Sequence, residues 1–149
     1  MKILITGVNG QVGHALMHEL TEHELIGLTR QDCDLTNLGQ IRQVIDHHQP
    51  DLIINPAAYT KVDQAEDESE LAFKINRDAP KVIAEKAREY NIPLIHFSTD
   101  YVFDGEKEVA YMEDDPTHPL GVYGQSKCAG EEAIQEVGGL IYIFRTSWV

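Results

Sequence analysis

The stretch that decides the fold is Lys2-Ile-Leu-Ile-Thr-Gly7-Val-Asn-Gly10-Gln-Val-Gly13. Ile3, Leu4 and Ile5 form a short apolar run of the kind that lies buried on both faces of a parallel sheet. The run stops at three glycines spaced by two residues, and Val12, Leu16, Met17 and Leu20 then recur at helical spacing. Strand, glycine turn and helix in that order make a cradle for the pyrophosphate of a dinucleotide. The turn lets backbone approach the anion, and the free N–H groups of the helix start point at it. An unliganded strand-to-helix turn has the same outline. The place between a buried strand and a helix is what favours the dinucleotide.

Working outward, Glu24–Thr29 reads as a second strand and Asn37–His48 as a helix with Leu38, Ile41, Val44 and Ile45 on one face. Thr36 or Asn37 is its expected cap and Pro50 its stop. Asp51–Asn55 is a third strand, and a long helical region follows from about Val62 to Tyr90, broken near the acids Glu66–Glu70. Pro93–Ser98 is a fourth strand, Tyr123–Glu136 a helix and Leu140–Phe144 a fifth strand. Strands alternating with helices predict an α/β, Rossmann-like, doubly wound parallel sheet, one NAD(P)-binding domain over 1–149. Ligands of such sheets sit outside the carboxyl ends of the strands. The residues to inspect therefore follow each strand: Gly7–Gly13, Thr29-Arg30, Pro56–Thr60, Ser98–Asp104 and Arg145–Trp148.

Twenty-five acids against twelve bases give 149 residues a formal charge of −13, which argues against nucleic acid or an anionic membrane as a partner. Cys33 and Cys128 stand far apart with no metal-ligand spacing, as expected of free thiols in a reducing compartment. With no leader and no membrane-length apolar run, the chain is expected to be cytoplasmic. The final run Leu140-Ile-Tyr-Ile-Phe-Arg-Thr-Ser-Trp-Val149 reads as a core strand without a turn or polar tail behind it. The expectation is a chain cut short, with a C-terminal substrate domain missing.

Tyr123-Gly-Gln-Ser-Lys127 puts a phenol and an ammonium one helical turn apart. A phenol ordinarily loses its proton near pH 10, and a neighbouring cation is expected to lower that value toward useful acid–base chemistry. Thr99, just past the fourth strand, offers a hydroxyl to a carbonyl oxygen on which negative charge builds. Each signal alone has a bland reading: an exposed Tyr with an unrelated Lys, or a strand-end turn at Ser98-Thr-Asp100. Glycine loop, hydroxyl and Tyr-x-x-x-Lys in this order point to a hydride-transfer enzyme.

The glycine spacing is similar to that of extended short-chain dehydrogenases. With Gly10-Gln-Val-Gly13, Ser98-Thr-Asp-Tyr-Val-Phe103, Val122-Tyr-Gly124 and Phe144-Arg-Thr-Ser-Trp-Val149, the whole chain resembles the dTDP-4-dehydrorhamnose reductase family. That resemblance implies NAD(P)H-dependent reduction of the C4 keto group of dTDP-4-dehydro-L-rhamnose to dTDP-L-rhamnose, for cell-surface polysaccharide. It implies Tyr123 as proton donor, Lys127 on the nicotinamide ribose and lowering the tyrosine pKa, and Thr99 on the carbonyl. Asp100 and Trp148 would line the sugar site together with Thr99. Gly7, Gly10, Gln11, Val12 and Gly13 would hold the pyrophosphate, Asp34 and Leu35 the adenine, and Ala58, Tyr59 and Thr60 the pyrophosphate and ribose. Related dehydratases place Asp-Glu after the threonine. Here Asp100-Tyr101 stands there, which argues for plain reduction.

The sequence departs from the family pattern in places. Thr29-Arg30 replaces the acid expected at the end of the second strand, and a guanidinium suits a 2′-phosphate, so NADPH is expected over NADH. Some family members bind Mg²⁺ between subunits through an acid on the first helix. His14 and His18 are found on that helix instead, so no metal is expected. A fragment of this extent is expected to bind dinucleotide and barely turn over. The partner expected is a small nucleotide sugar, and a homodimer is left open. Two alternatives remain: a non-catalytic relative like the regulatory subunit of methionine adenosyltransferase, or another extended short-chain enzyme on nucleotide sugars, such as an epimerase.

Overall fold

A computed structural model describes residues 1–147; Trp148, assigned above to the sugar site, lies outside the described residues. Five parallel strands form one sheet in the order β2-β1-β3-β4-β5. They are β1 Lys2–Ile5, β2 Glu24–Gly27, β3 Leu52–Asn55, β4 Leu94–Thr99 and β5 Ile141–Thr146. Ile3, Leu4 and Ile5 are almost wholly buried because β1 lies between β2 and β3 and is covered on both faces. The helix α1 (Gln11–Glu19) packs Leu16 and Met17 on one face, against Ile3, Ile5 and Ile54. On the other face α2 (Leu38–His48), α4 (Ala79–Glu89) and α5 (Val122–Val137) cover Leu4, Ile53 and Leu94. The chain reverses direction across the sheet between β1 and β3, the switch point at which doubly wound sheets bind their ligands.

Most boundaries follow the sequence. The Asn37 side chain accepts the Gln40 N–H at 3.0 Å and so caps α2. The second strand is shorter than expected, ending at Gly27, although the Leu28 N–H still bonds to the Ile5 carbonyl. The long helical region is not one helix. A 3₁₀ turn at Gln64–Glu66 precedes the short α3 (Ser69–Phe73), and a π turn at Lys74–Asp78 joins α3 to α4. The widened turn pushes the Asn76 carbonyl toward α5. A Cβ at Gly130 would lie 2.0 Å from that oxygen, so only glycine lets the two segments cross there. No described helix is long and apolar enough to cross a membrane.

Candidate active site

Gly7 has φ +58°, the left-handed region, and a Cβ there would meet the Ala57 Cβ at 2.9 Å. A Cβ at Gly13 would lie 2.3 Å from the Gly7 carbonyl oxygen. Gly10 differs, since its nearest neighbour would be 3.4 Å away and a side chain there would stand at the open mouth of the turn. No side chain caps α1 and no acid lies in its first turn, so the first amides, at Gln11 and Val12, are left for an outside anion. The loop thus has the room and the donors that a dinucleotide pyrophosphate needs.

Beyond β2, the Thr29 N–H and hydroxyl both donate to the Asp32 carboxylate, at 2.8 and 2.9 Å. Those two bonds hold Asp32 below the usual carboxylate range. The acid nearest the strand end is therefore turned onto its own backbone, while Arg30 is exposed with no ion pair among the described residues. Asp34 accepts the Thr36 N–H and hydroxyl, and Leu35 packs half-buried against the core. The Tyr59 side chain turns inward: its phenol donates to Glu68 at 2.8 Å, and burial with that carboxylate pushes it up to about 12. Ala58-Tyr59-Thr60 therefore offers a ligand the Ala58 and Thr60 backbone and the exposed Thr60 side chain, not the Tyr59 ring.

Tyr123 and Lys127 lie on the first turns of α5, above the end of β4. Lys127 is 2% exposed and its Nζ donates to the Phe97 carbonyl at 2.7 Å. Burial pushes its ammonium down to about 8, with the Glu131 carboxylate pulling the other way. Thr99, also buried, accepts the Tyr101 N–H at 3.2 Å and lies beside the Tyr123 phenol. Burial raises that phenol above its ordinary value, and the Thr99 hydroxyl opposes the shift. Sequence reasoning expected Lys127 to lower the tyrosine. Its Nζ instead donates to the Phe97 carbonyl of β4, and burial is the largest influence on the phenol. The phenol consequently keeps its proton at neutral pH. Asp100 is exposed at the start of a 3₁₀ turn, and the Tyr101 ring meets Tyr123 edge-on at 5.6 Å. A Cβ at Gly124 would sit 2.3 Å from the Tyr101 carbonyl oxygen, so glycine sets the approach of α5 to this turn.

Comparison with known proteins matches the RmlD substrate binding domain model over residues 1–149. The chain belongs to this family. Family relatives include the dTDP-4-dehydrorhamnose reductase of Burkholderia thailandensis, 43% identical over 150 residues, all of this chain and 50% of the relative. Among solved structures, a dTDP-4-dehydrorhamnose reductase from Clostridium acetobutylicum superposes with a TM-score of 0.96 at 39% identity, covering 99% of this chain and 54% of that one. The reductase from Bacillus anthracis, in complex with NADP, gives a TM-score of 0.94 at 40% identity over 99% and 53% of the two chains. The chain spans about half the length of the curated relatives it matches.

Several residues at this candidate site were not legible in sequence. Asn76, 1% exposed, accepts the Tyr59 N–H at 2.8 Å and donates to the Tyr59 carbonyl and the Ser126 hydroxyl at 3.1 and 2.9 Å. Ser126 in turn donates to the Tyr123 carbonyl at 2.7 Å, so one amide ties the loop after β3 to the helix of Tyr123. Glu66 reaches across to accept the Val122 N–H at the start of α5. The one available signal was a polar Asn76 on the inward face of an otherwise apolar helical stretch. His14 and His18 meet edge-on at 4.5 Å, and no cluster of three metal-ligating side chains occurs among the described residues.

Proposed function

We propose that this chain forms the cofactor-binding and proton-donating part of an NADPH-dependent reductase. Its substrate is the C4 keto group of dTDP-4-dehydro-L-rhamnose, its product dTDP-L-rhamnose. The observation that carries the reading is the Thr99 hydroxyl beside the Tyr123 phenol at the end of β4, with Lys127 one turn along the same helix, across the switch point from an uncapped glycine loop. The reductase names of relatives about 43% identical support the substrate.

Residues Gly7–Gly13 hold the pyrophosphate, Arg30 the 2′-phosphate, and Lys127 the nicotinamide ribose with the N–H groups not given to Phe97. When bound, the reduced nicotinamide supplies a hydride to the keto carbon. The Thr99 hydroxyl donates to the keto oxygen as its charge builds. Tyr123 releases the proton on Oη to that oxygen, so one O–H bond breaks as another forms, and solvent restores the phenol. Asp100 faces the sugar from the exposed turn. The free guanidinium of Arg30 favours NADPH over NADH.

NADPH absorbance is followed after adding dTDP-4-dehydro-L-rhamnose, with this chain carried in a polypeptide of its relatives' length. Oxidation is expected, and Tyr123→Phe should slow it roughly 10²- to 10⁴-fold while NADPH still binds. NADPH binding without oxidation in the parent overturns the reading and favours a partner-binding role.

A further inference from the structure

A buried polar row runs across the sheet beneath Lys127. The Ala57 N–H donates to the Thr6 hydroxyl at 3.3 Å, and Thr6 donates onward to Asn55 Oδ1 at 2.6 Å. With Oδ1 on the Thr6 hydroxyl, the Asn55 amide nitrogen is left for the neighbouring strand. That nitrogen then faces His96 Nδ1 at 3.1 Å as a donor, so Nδ1 is the acceptor and the ring proton sits on Nε2. His96 is 0% exposed, and burial with the nearby Lys127 charge holds it neutral. Yet His96 Nε2 has no hydrogen-bonding partner among the described residues, and neither has the buried Ser98 hydroxyl.

These two orphans are two residues apart on β4, hence on the same face of the strand. Between them is Phe97, whose carbonyl takes one N–H of Lys127. His96 and Ser98 thus lie on the face of β4 that α5 covers, and Lys127 of α5 is near enough for its charge to bear on His96. Buried donors without acceptors cost free energy, and a water that finds two to four such partners relieves it.

We propose that His96 and Ser98 seat one buried water against the Lys127 ammonium, making His96 a positioning residue that acts on Lys127 through that water. The water accepts from His96 Nε2 and from Lys127, and donates to the Ser98 hydroxyl. The row back to Ala57 ties this seat to the loop after β3. Lys127 also feels Glu131 on its own helix, whose carboxylate Arg145 of β5 holds at 2.6 Å. The positive end of a ring N–H dipole disfavours a nearby ammonium, so its loss should favour the charged lysine.

The inference rests on the proposed role of Lys127, but its test needs no substrate. In a crystal structure of the chain, an ordered water within hydrogen-bonding distance of His96 Nε2 and Ser98 Oγ is expected. An absent water, or a direct His96–Ser98 bond, overturns the proposal. Ring nitrogen NMR should show the neutral Nε2–H form from pH 5 to 9, and an Nδ1–H ring is also fatal. In a nitrogen-detected lysine titration, His96→Asn keeps the acceptor for Asn55 and loses the N–H. It should raise the Lys127 midpoint by about one pH unit. His96→Gln, which retains a donor at the Nε2 position, should stay within a few tenths of the parent. Equal midpoints in parent and His96→Asn, or equal shifts in both variants, make His96 merely structural. Failure of NADPH oxidation with these titrations as expected would remove the reductase reading and leave the seat intact.

Discussion

Two helical glycines should answer alanine in opposite directions. Gly130 is buried where α5 crosses the π turn, and a Cβ there would lie 2.0 Å from the Asn76 oxygen and 3.2 Å from its carbonyl carbon. Real Cβ contacts under 3.0 Å are essentially absent, so the segments must separate by about 1 Å, and the obstacle is backbone that cannot swing aside. Such overpacking costs about 1–3 kcal/mol, with a rigid neighbour at the upper end. Alanine returns about 1 kcal/mol of helix propensity, leaving a net loss of about 2 kcal/mol. For a domain of this size that lowers Tm by about 4–8 °C. Gly39 in α2 is exposed, and its Cβ would meet only the Asn37 Oδ1 at an ordinary 3.5 Å. Gly39→Ala should therefore gain up to about 1 kcal/mol, raising Tm by about 2–4 °C. Circular dichroism melts and urea titrations measure both variants. Backing α5 away also loosens the Asn76 bonds to Tyr59 and Ser126, so NADPH affinity should fall in Gly130→Ala alone. A Gly130→Ala protein that melts at or above the parent refutes the packing argument.

Arg30→Ala should weaken NADPH binding about tenfold or more, as one lost charged hydrogen bond does, and leave NADH unchanged; equal losses for both cofactors would remove the 2′-phosphate assignment. Asp46 accepts from Lys86 Nζ at 2.6 Å and from the Tyr90 hydroxyl at 2.5 Å, and these bonds hold its carboxyl below the usual range. Its stabilisation is present above the unfolded carboxylate value near pH 4 and fades as pH falls through the lowered folded value. Asp46→Asn should accordingly be less stable than the parent at pH 7, with the difference shrinking as pH falls below about 4, and a constant difference across the acid range would contradict the assignment.

The parts of the fold that sequence revealed are those written in hydrophobic period. Ile3–Ile5, Ile53-Ile54 and, on β4, Leu94, Ile95 and Phe97 are apolar because the sheet needs them so, and each lies in the strand its run predicted. The π turn was hidden because the apolar pattern of Leu71, Ile75, Val82 and Ile83 tolerates one extra residue per turn without losing its face. The nearness of Thr99 to Tyr123, with Lys127 one turn further on α5, was legible as order along the chain. The direction of Lys127 Nζ was not, because spacing on a helix says which residues share a face and nothing about a flexible four-carbon stem. The inward turn of Tyr59 was equally hidden, since its partners Glu68 and Asn76 come from a segment whose register the π turn sets.

What sequence could least reveal is that the site is fastened by polar groups inside the core. Thr6, Asn55 and His96 replace apolar residues on the same sheet face as Leu4, Ile53 and Leu94, and Asn76 does so between α3 and α4. For stability alone an apolar side chain at each place would serve, since a buried hydrogen bond returns only about 0.5–1.5 kcal/mol net. These groups differ from apolar ones in having direction. Thr6 takes the N–H of Ala57, which packs against Gly7, and Asn76 grips both backbone atoms of Tyr59. Both anchors therefore end on loops that leave the carboxyl ends of β1 and β3. Hydrophobic packing fills space but leaves loops free to slide by an ångström. A ligand held by backbone N–H groups requires the directional fastening, which is why the buried polar residues crowd the switch point and thin out toward the opposite end of the strands.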